Sequence, residues 1–424
     1  MLYLLIITFI LAPAYAIRFN LGFLPRNILM MWVFLVWIAF VVNLIAKKRA
    51  RIFLTAVKNI REEILLTVGF FFISGIISLF IKGFDQAKLG QFIVLFLQPI
   101  SIFFIGKFFF EQHPQSKSYL LLTTYYLLAL AGLYAILQYF TLLGLPQIYW
   151  GNANEPKRAL SFFAHPNFYA LWSAPLLALL IPDVFENLKS KILNLKSLAW
   201  ALGALGLLLS FSRAGFLGLA AAIGIYLIVA AEAKIRKLIF AAVIVMVIVI
   251  ISVPNLRWRF VLPFYGEKSA ISRLSLWHTG VKAIKESPIF GLGLTGFGNN
   301  WQKLNTDPNL DTHNFPHNVF LNFWVETGLL GLISFLGLIS IYIYRGLRPS
   351  VIPAATEPRS GEGLAGIHNL DSRQPAGKAG FRGNDIKLAV ALFLICLLFQ
   401  GLIDNPYFKN DLAMVFWMVL SLSI

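Results

Sequence analysis

The chain has 424 residues, 58% of them hydrophobic and 13% charged, with a mean hydropathy of +0.75. Such usage excludes an ordinary soluble domain and points to an all-α polytopic membrane protein. The surplus of 36 basic over 19 acidic residues is expected in loops on the cytoplasmic side rather than at a nucleic-acid interface.

From the N-terminus, the apolar run Met1 to Ile17 lacks a basic n-region. It reads as a first spanning helix, although Ala14-Tyr15-Ala16 imitates a cleavage site. Twelve runs come near the roughly 17 to 25 residues that cross a bilayer core: 1–17, 28–46, 64–81, 89–110, 119–143, 166–184, 197–211, 214–231, 238–253, 317–345, 387–404 and 411–424. The lone cysteine, Cys396, lies in an apolar run, so neither a disulfide framework nor a thiolate metal site is expected. With a cytoplasmic N-terminus, the short inner loops hold eighteen Lys and Arg and the short outer loops eight. That bias predicts both termini inside. The 63-residue loop 254–316 then falls on the outer face, with seven more basic residues that need another explanation. Residues 1–345 thus form ten spans with an outer loop, 346–386 a Gly-, Pro- and Ser-rich disordered cytoplasmic insert, and 387–424 two further spans.

Polar clusters mark the outer face. Lys157-Arg158 precedes His165-Pro166-Asn167 at the mouth of the sixth span. A helix start accounts for His165, whereas Arg158 is better placed to meet an anion. Ser210-Phe211-Ser212-Arg213-Ala214-Gly215 makes a tight hairpin that sets Arg213 at a helix N-terminus, with Ser212 able to cap. In the long loop, Ser272 to Ser287 predicts a surface amphipathic helix with Leu274, Trp277, Val281 and Ile284 on one face, and Arg273 in its first turn. Gly291-Leu292-Gly293-Leu294-Thr295-Gly296 fits GxGxxG, but no strand precedes it, so its glycines predict a turn and not a dinucleotide site.

At Pro316 the loop runs into the tenth span. Proline favours a helix start, which predicts His317 in the first turn, where the helix dipole disfavours a charged imidazole and keeps a base available. Asn318, Asn322 and Glu326 then recur every four residues as one polar stripe. A capping role for the histidine remains open at this level. The outer loops carry no paired acidic metal motif, no HExxH and no GxSxG, which disfavours a metal site. Arginines and one basic histidine at a single membrane face suit a phosphate-bearing substrate attacked by a hydroxyl.

These residues together resemble the O-antigen ligase and O-antigen polymerase superfamily of polytopic glycosyltransferases. The resemblance rests on Ser212-Arg213-Ala214-Gly215, Arg273-Leu274-Ser275-Leu276-Trp277, Pro288 to Gly296, and His317-Asn318 followed by Glu326-Thr327-Gly328-Leu329-Leu330-Gly331. Arg158 with Pro166-Asn167 is similar to the family's earlier outer loop. The resemblance implies transfer of a glycan from undecaprenyl diphosphate to an acceptor hydroxyl, on lipid A core or another surface acceptor, at the outer face of a bacterial plasma membrane. It implies His317 as general base, Arg213 and Arg273 on the diphosphate, and Arg158, Asn167 and Asn318 as further substrate contacts. Neither cofactor nor metal nor nucleic acid is implied; the partners are the lipid-linked donor, the acceptor and membrane lipid. A polymerase or protein oligosaccharyltransferase of the same superfamily has the same motifs. A flippase would predict internal repeats and polar groups at the bilayer midplane, and no convincing repeat relates the two halves.

Overall fold

The computed structural model describes residues 1–13, 27–151, 156–189, 194–230, 237, 252, 268–305, 313–348 and 383–423. Among them the regular elements are helices. They are α1 (Leu2–Ile10), α2 (Ile28–Ala46), α3 (Ala50–Lys58), α4 (Glu62–Phe80), α5 (Gln86–Phe92), which runs through a π turn into α6 (Gln98–Gln112), and α7 (Ser116–Thr141). Then come α8 (Pro166–Leu179), α9 (Ile181–Lys189), α10 (Leu195–Leu209), α11 (Arg213–Ala230) and α12 (Lys268–Glu286). Two single turns, α13 (Gly296–Asn299) and α14 (Trp301–Leu304), lead to α15 (Val319–Leu347), α16 (Gly383–Gly401) and α17 (Asn410–Leu422).

Helices stand at all the expected spans except 238–253, which lies outside the described residues apart from 252, as do residues 349–382 of the expected insert. Among the described residues, five helices are long and apolar enough to cross a membrane, or six if α8 and α9, bent by 53°, count as one span. The others fall short for local reasons: α10 and α17 are apolar but brief, and the described part of the first span ends its helix at Ile10. Outward faces are apolar. On α2, Phe34, Leu35, Ile38, Val41, Val42 and Ile45 are all exposed, an apolar face of the kind that meets lipid or another protein.

The capping residues are those that satisfy the first free amides of a helix: Asn27, Asp85, Asn194 and Asn318 accept from the amides of Met30, Lys88, Ser197 and of both Phe320 and Leu321. The hairpin carrying Arg213 is held by close packing of α10 on α7, where a Cβ at Gly132 would stand 2.2 Å from the Leu202 carbonyl. Near the C-terminus, Tyr407 anchors the loop between α16 and α17: its hydroxyl donates to the Leu95 carbonyl (2.6 Å) and accepts from Trp417 Nε1 (2.9 Å). Phe323 and Phe335 of α15 pack on its ring.

Two local expectations are corrected. The helix at the tenth span begins at Val319, because the Asn318 side chain takes the capping position; His317 lies before it with φ +49°. His317 is therefore in a turn, outside the helix's first turn. Likewise α12 starts at Lys268 instead of Ser272, so Arg273 stands in its second turn. Its buried face is Leu276, Thr279, Ala283 and Ile284, packed on Leu292, Phe297, Trp301 and Val325, while Leu274 and Val281 face outward.

The expected glycine turn is present and has a definite task. Gly291 and Gly293 have φ of +70° and +82°. α15 is broken at Gly328 (φ 67°, ψ −170°), a backbone conformation essentially restricted to glycine. Across the break the 288–296 segment supplies the missing partners: Leu292 N donates to the Val325 carbonyl (2.6 Å) and Leu329 N to the Ile289 carbonyl (2.9 Å). Just before the break, Glu326 Oε1 accepts from Phe297 N at 3.2 Å. The polar stripe faces inward, with Asn322 and Glu326 both buried.

Candidate active site

The left-handed turn at His317 is fixed from three sides. Trp277 Nε1 of α12 donates to the His317 carbonyl at 3.4 Å, and Gly280 packs under Pro316 with no room for more than a light contact. Asn318 uses its oxygen to cap α15 and its amide to donate to the Leu402 carbonyl at 3.1 Å. That last bond ties the turn to the end of α16, and this is where the decisive contact forms.

His317 Nδ1 lies 2.9 Å from Asp404 Oδ1, a carboxylate oxygen that also accepts from the Asn405 amide at 2.8 Å. Asp404 is 1% exposed. Burial raises its pKa, but the hydrogen bond and charge of His317, the Asn405 amide and the charge of Arg273 outweigh burial and hold the carboxyl below its ordinary value. An ionised carboxylate only accepts, so Nδ1 carries the hydrogen, and in a neutral ring Nε2 would present its lone pair. A base with a fixed tautomer, oriented by a third group, is the pattern of a nucleophile-activating site.

Basic groups surround the pair. Arg273 is close enough to act on Asp404. At the mouth of α8, the pKa of His165 is pushed down to about 4, by burial first, then by the charges of Arg158, Lys409 and His317 against the opposing pull of Asp404. Arg158, His165, Arg273, His317, Asp404 and Lys409 therefore share one electrostatic neighbourhood. His165 itself caps α8, its Nδ1 accepting from Asn167 N at 3.0 Å, in line with the helix-start reading.

Arg158 and Asn167 are brought together, but largely for each other. The Arg158 guanidinium donates to Asn167 Oδ1 (2.6 Å) and to the Ser210 carbonyl (3.0 Å). It thereby bolts the outer loop to the hairpin whose next turn holds Arg213. Arg213 stands exposed as the first residue of α11, as expected, with Phe216 N bonded to the Ser212 carbonyl behind it. Asn318 is committed to capping and to Leu402, which leaves it a structural task beside the histidine.

Asp404, the last residue of the expected span 387–404, and Lys409, just before the next, stand in no recognisable motif. No spacing rule links either to His317. Residues 197–336 match the family described as O-antigen ligase. This match, over a third of the chain, supports membership of the O-antigen ligase superfamily. The matched stretch contains Arg213, Arg273 and His317 but stops short of Asp404 and Lys409. A curated Haemophilus influenzae protein described only as uncharacterized is 28% identical over 155 residues, covering 32% of this chain and 39% of that relative. The chain thus spans well under half the length of that relative.

Proposed function

We propose that this O-antigen ligase-like protein moves a glycan from undecaprenyl diphosphate to an acceptor hydroxyl, on lipid A core or another surface acceptor. The observation that carries this reading is the His317–Asp404 pair set among arginines in a chain of this superfamily. The acceptor O–H gives its proton to His317 Nε2 as its oxygen bonds to the anomeric carbon. The bond from that carbon to the diphosphate oxygen breaks, inverting the centre. Arg213 and Arg273, with Arg158 behind them, neutralise the departing diphosphate, and guanidiniums are suited to this because their planar forks bind phosphate in pairs of bonds. Side-chain cations suffice for that charge, so no metal is invoked.

The site opens on the extracytoplasmic side of the plasma membrane of a bacterium, in a chain of twelve crossings with both termini inside. Cysteines at Lys157 and Asn305 then react with an impermeant reagent in intact cells, and one at Gly361 does not. The direct test deletes the gene and follows surface glycans and lipid-linked sugar: loss of the former with build-up of the latter is expected. Unchanged surface glycan would sink the proposal.

A further inference from the structure

Between α2 and α4, both long and apolar enough to cross a membrane, the chain makes a detour through α3 (Ala50–Lys58). Its nine residues give about 14 Å of helix, too little to cross a bilayer. One face of α3 belongs to the protein. Ala56 is buried, as is Ile60 just beyond the helix, and the Phe53 ring meets those of Phe40 (5.3 Å) and Phe108 (5.6 Å). Two side-chain bonds fasten the flanks of α3 to the last turn of α6: Arg49 donates to Gln112 Oε1 (3.4 Å) and Asn59 Nδ2 to Glu111 Oε1 (2.8 Å).

The opposite face is cationic. Arg51, Thr55 and Lys58 follow one another at helical spacing and are exposed, and Lys47 and Lys48 are exposed in the turn before them. Ile52 and Leu54, at the edges of this strip, are exposed as well. They follow closely on the apolar outward face of α2, which ends with the exposed Val41, Val42 and Ile45. Residues 47–63 hold six Lys and Arg against Glu62 and Glu63. The local acids have partners already: Arg61 lies 3.5 Å from Glu63, and Lys107 3.5 Å from Glu111. Among the described residues no carboxylate pairs with Lys47, Lys48, Arg51 or Lys58, and the stretch 349–382, with four basic residues and three acidic, brings no negative surplus. Positive charge alone can orient a loop during insertion without any helix or pattern. Here the cations share one face of a fixed helix, with apolar residues at its edge and the end of a spanning helix four residues away, the arrangement of an interfacial amphipathic helix.

We infer that α3, together with Lys47 and Lys48, is a docking surface for anionic phospholipid headgroups. The lipid phosphates meet Lys47, Lys48, Arg51 and Lys58, while Ile52 and Leu54 enter the boundary of the acyl chains. The apolar stems of Lys and Arg lie along such a boundary and keep the charge at headgroup depth. An acidic protein would match the charge but not the position, one short link from the end of a span. Because α3 is tied to α6 at both flanks, anionic lipid held there braces the end of α2 against α6. The inference is independent of the proposed glycan transfer.

The test uses the full chain in nanodiscs. Cys396 is the lone cysteine and is buried, so Thr55→Cys, on the exposed strip, takes a bimane fluorophore selectively. Phosphatidylglycerol or phosphatidylcholine brominated on the acyl chains, added to unbrominated phosphatidylcholine, then quenches the label when it lies beside α3. Half-quenching should need about tenfold less phosphatidylglycerol than phosphatidylcholine or lower still, since each cation near the surface contributes roughly fivefold in affinity. Changing Lys47, Lys48, Arg51 and Lys58 together to Gln should abolish the preference, and each single Gln change should reduce it. Arg in place of the three lysines should preserve it. Melting temperature in detergent should stay near wild type in all of these, because the four side chains are exposed. Equal quenching by the two lipids in the labelled but otherwise native chain overturns the inference, and so does a preference that survives the quadruple Gln change. Quenching by neither lipid overturns it too, and cross-linking between labelled copies would then identify the face as a contact between chains. Soluble glycerol phosphate should leave the quenching unchanged; displacement of the lipid by it would make the strip a phosphate site and overturn the membrane reading.

Discussion

Asp404 orients His317 from a point 87 residues further along the chain. The contact exists because α16 packs on α15 and ends beside the cap of α15, where Asn318 holds the Leu402 carbonyl. On the proposed mechanism, a carboxylate at this position sets which imidazole nitrogen is the base. Asp404→Asn keeps shape but can donate to Nδ1 and move the ring hydrogen to Nε2. We expect kcat to fall by at least about a hundredfold, much of what a positioned base contributes, with donor KM within a few-fold of wild type. A steady-state assay with lipid-linked glycan decides this, and a near-normal kcat would remove Asp404 from the mechanism.

His317→Ala should lower transfer by roughly a hundredfold to ten-thousandfold while lipid diphosphate binding stays near normal, since other residues grip the phosphates. His317→Gln, which hydrogen-bonds yet accepts no proton, should be equally inactive. A Gln variant with robust transfer would reduce His317 to an orienting residue.

Lys in place of Arg213 or Arg273 retains charge and loses the paired donors, so activity should drop about tenfold or more in each. Arg158→Lys should differ in kind. It also breaks the bonds to Asn167 and Ser210 that fasten the outer loop, so melting temperature should fall with activity. Thermal unfolding measured beside transfer separates the two cases.

Gly328→Ala should be among the most damaging small changes in the chain. Its backbone conformation costs a residue with a Cβ about 1 to 3 kcal/mol, and that Cβ would stand 2.3 Å from the Ile289 carbonyl. Reduced yield and a lower melting temperature are expected, whereas Gly69→Ala, with nothing within 4 Å of its added Cβ, should be mild. Equal melting temperatures for the two would show that the break tolerates a side chain.

The imidazole of His165, kept neutral with a pKa of about 4 against an ordinary 6.5, makes the start of α8 acid-sensitive. Between those values the unfolded chain binds a proton that the folded one does not, so stability rises with pH across the window and is lost as pH falls through it. Asn is a good helix cap that does not titrate. His165→Asn should therefore flatten the loss of melting temperature between pH 6.5 and 4.5, and an unchanged slope would assign the acid sensitivity elsewhere.

Hydropathy made the helical membrane architecture legible because an apolar helix announces itself within its own twenty residues. Among the described residues five or six helices meet the length for crossing, and α10, bounded by the Asn194 cap and the turn at Ser210, is as brief as its apolar run. The His317, Arg213 and Arg273 positions were legible as local motifs. The helix starts at Pro316 and Ser272 were misplaced because the competing Asn318 cap and the earlier onset at Lys268 depend on contacts a window does not contain. Asp404 and Lys409 stayed silent for the same reason. Their meaning comes from packing between segments far apart in sequence.

One further relation bears on how the site is assembled. A Cβ at Gly346, near the end of α15, would stand 2.4 Å from the Lys387 carbonyl in the opening turns of α16. The two helices that lead to His317 and Asp404 are therefore already neighbours where 349–382 joins them, and only a handful of residues is needed to connect them. The stretch 349–382 is much longer than that gap demands. Loop-closure entropy grows only logarithmically, so carrying it costs roughly 1 to 2 kcal/mol relative to a short linker. Chain can thus be added or removed there without moving either half of the His317–Asp404 pair, which makes this junction the natural place to fuse a reporter domain or to trim the protein for crystallisation.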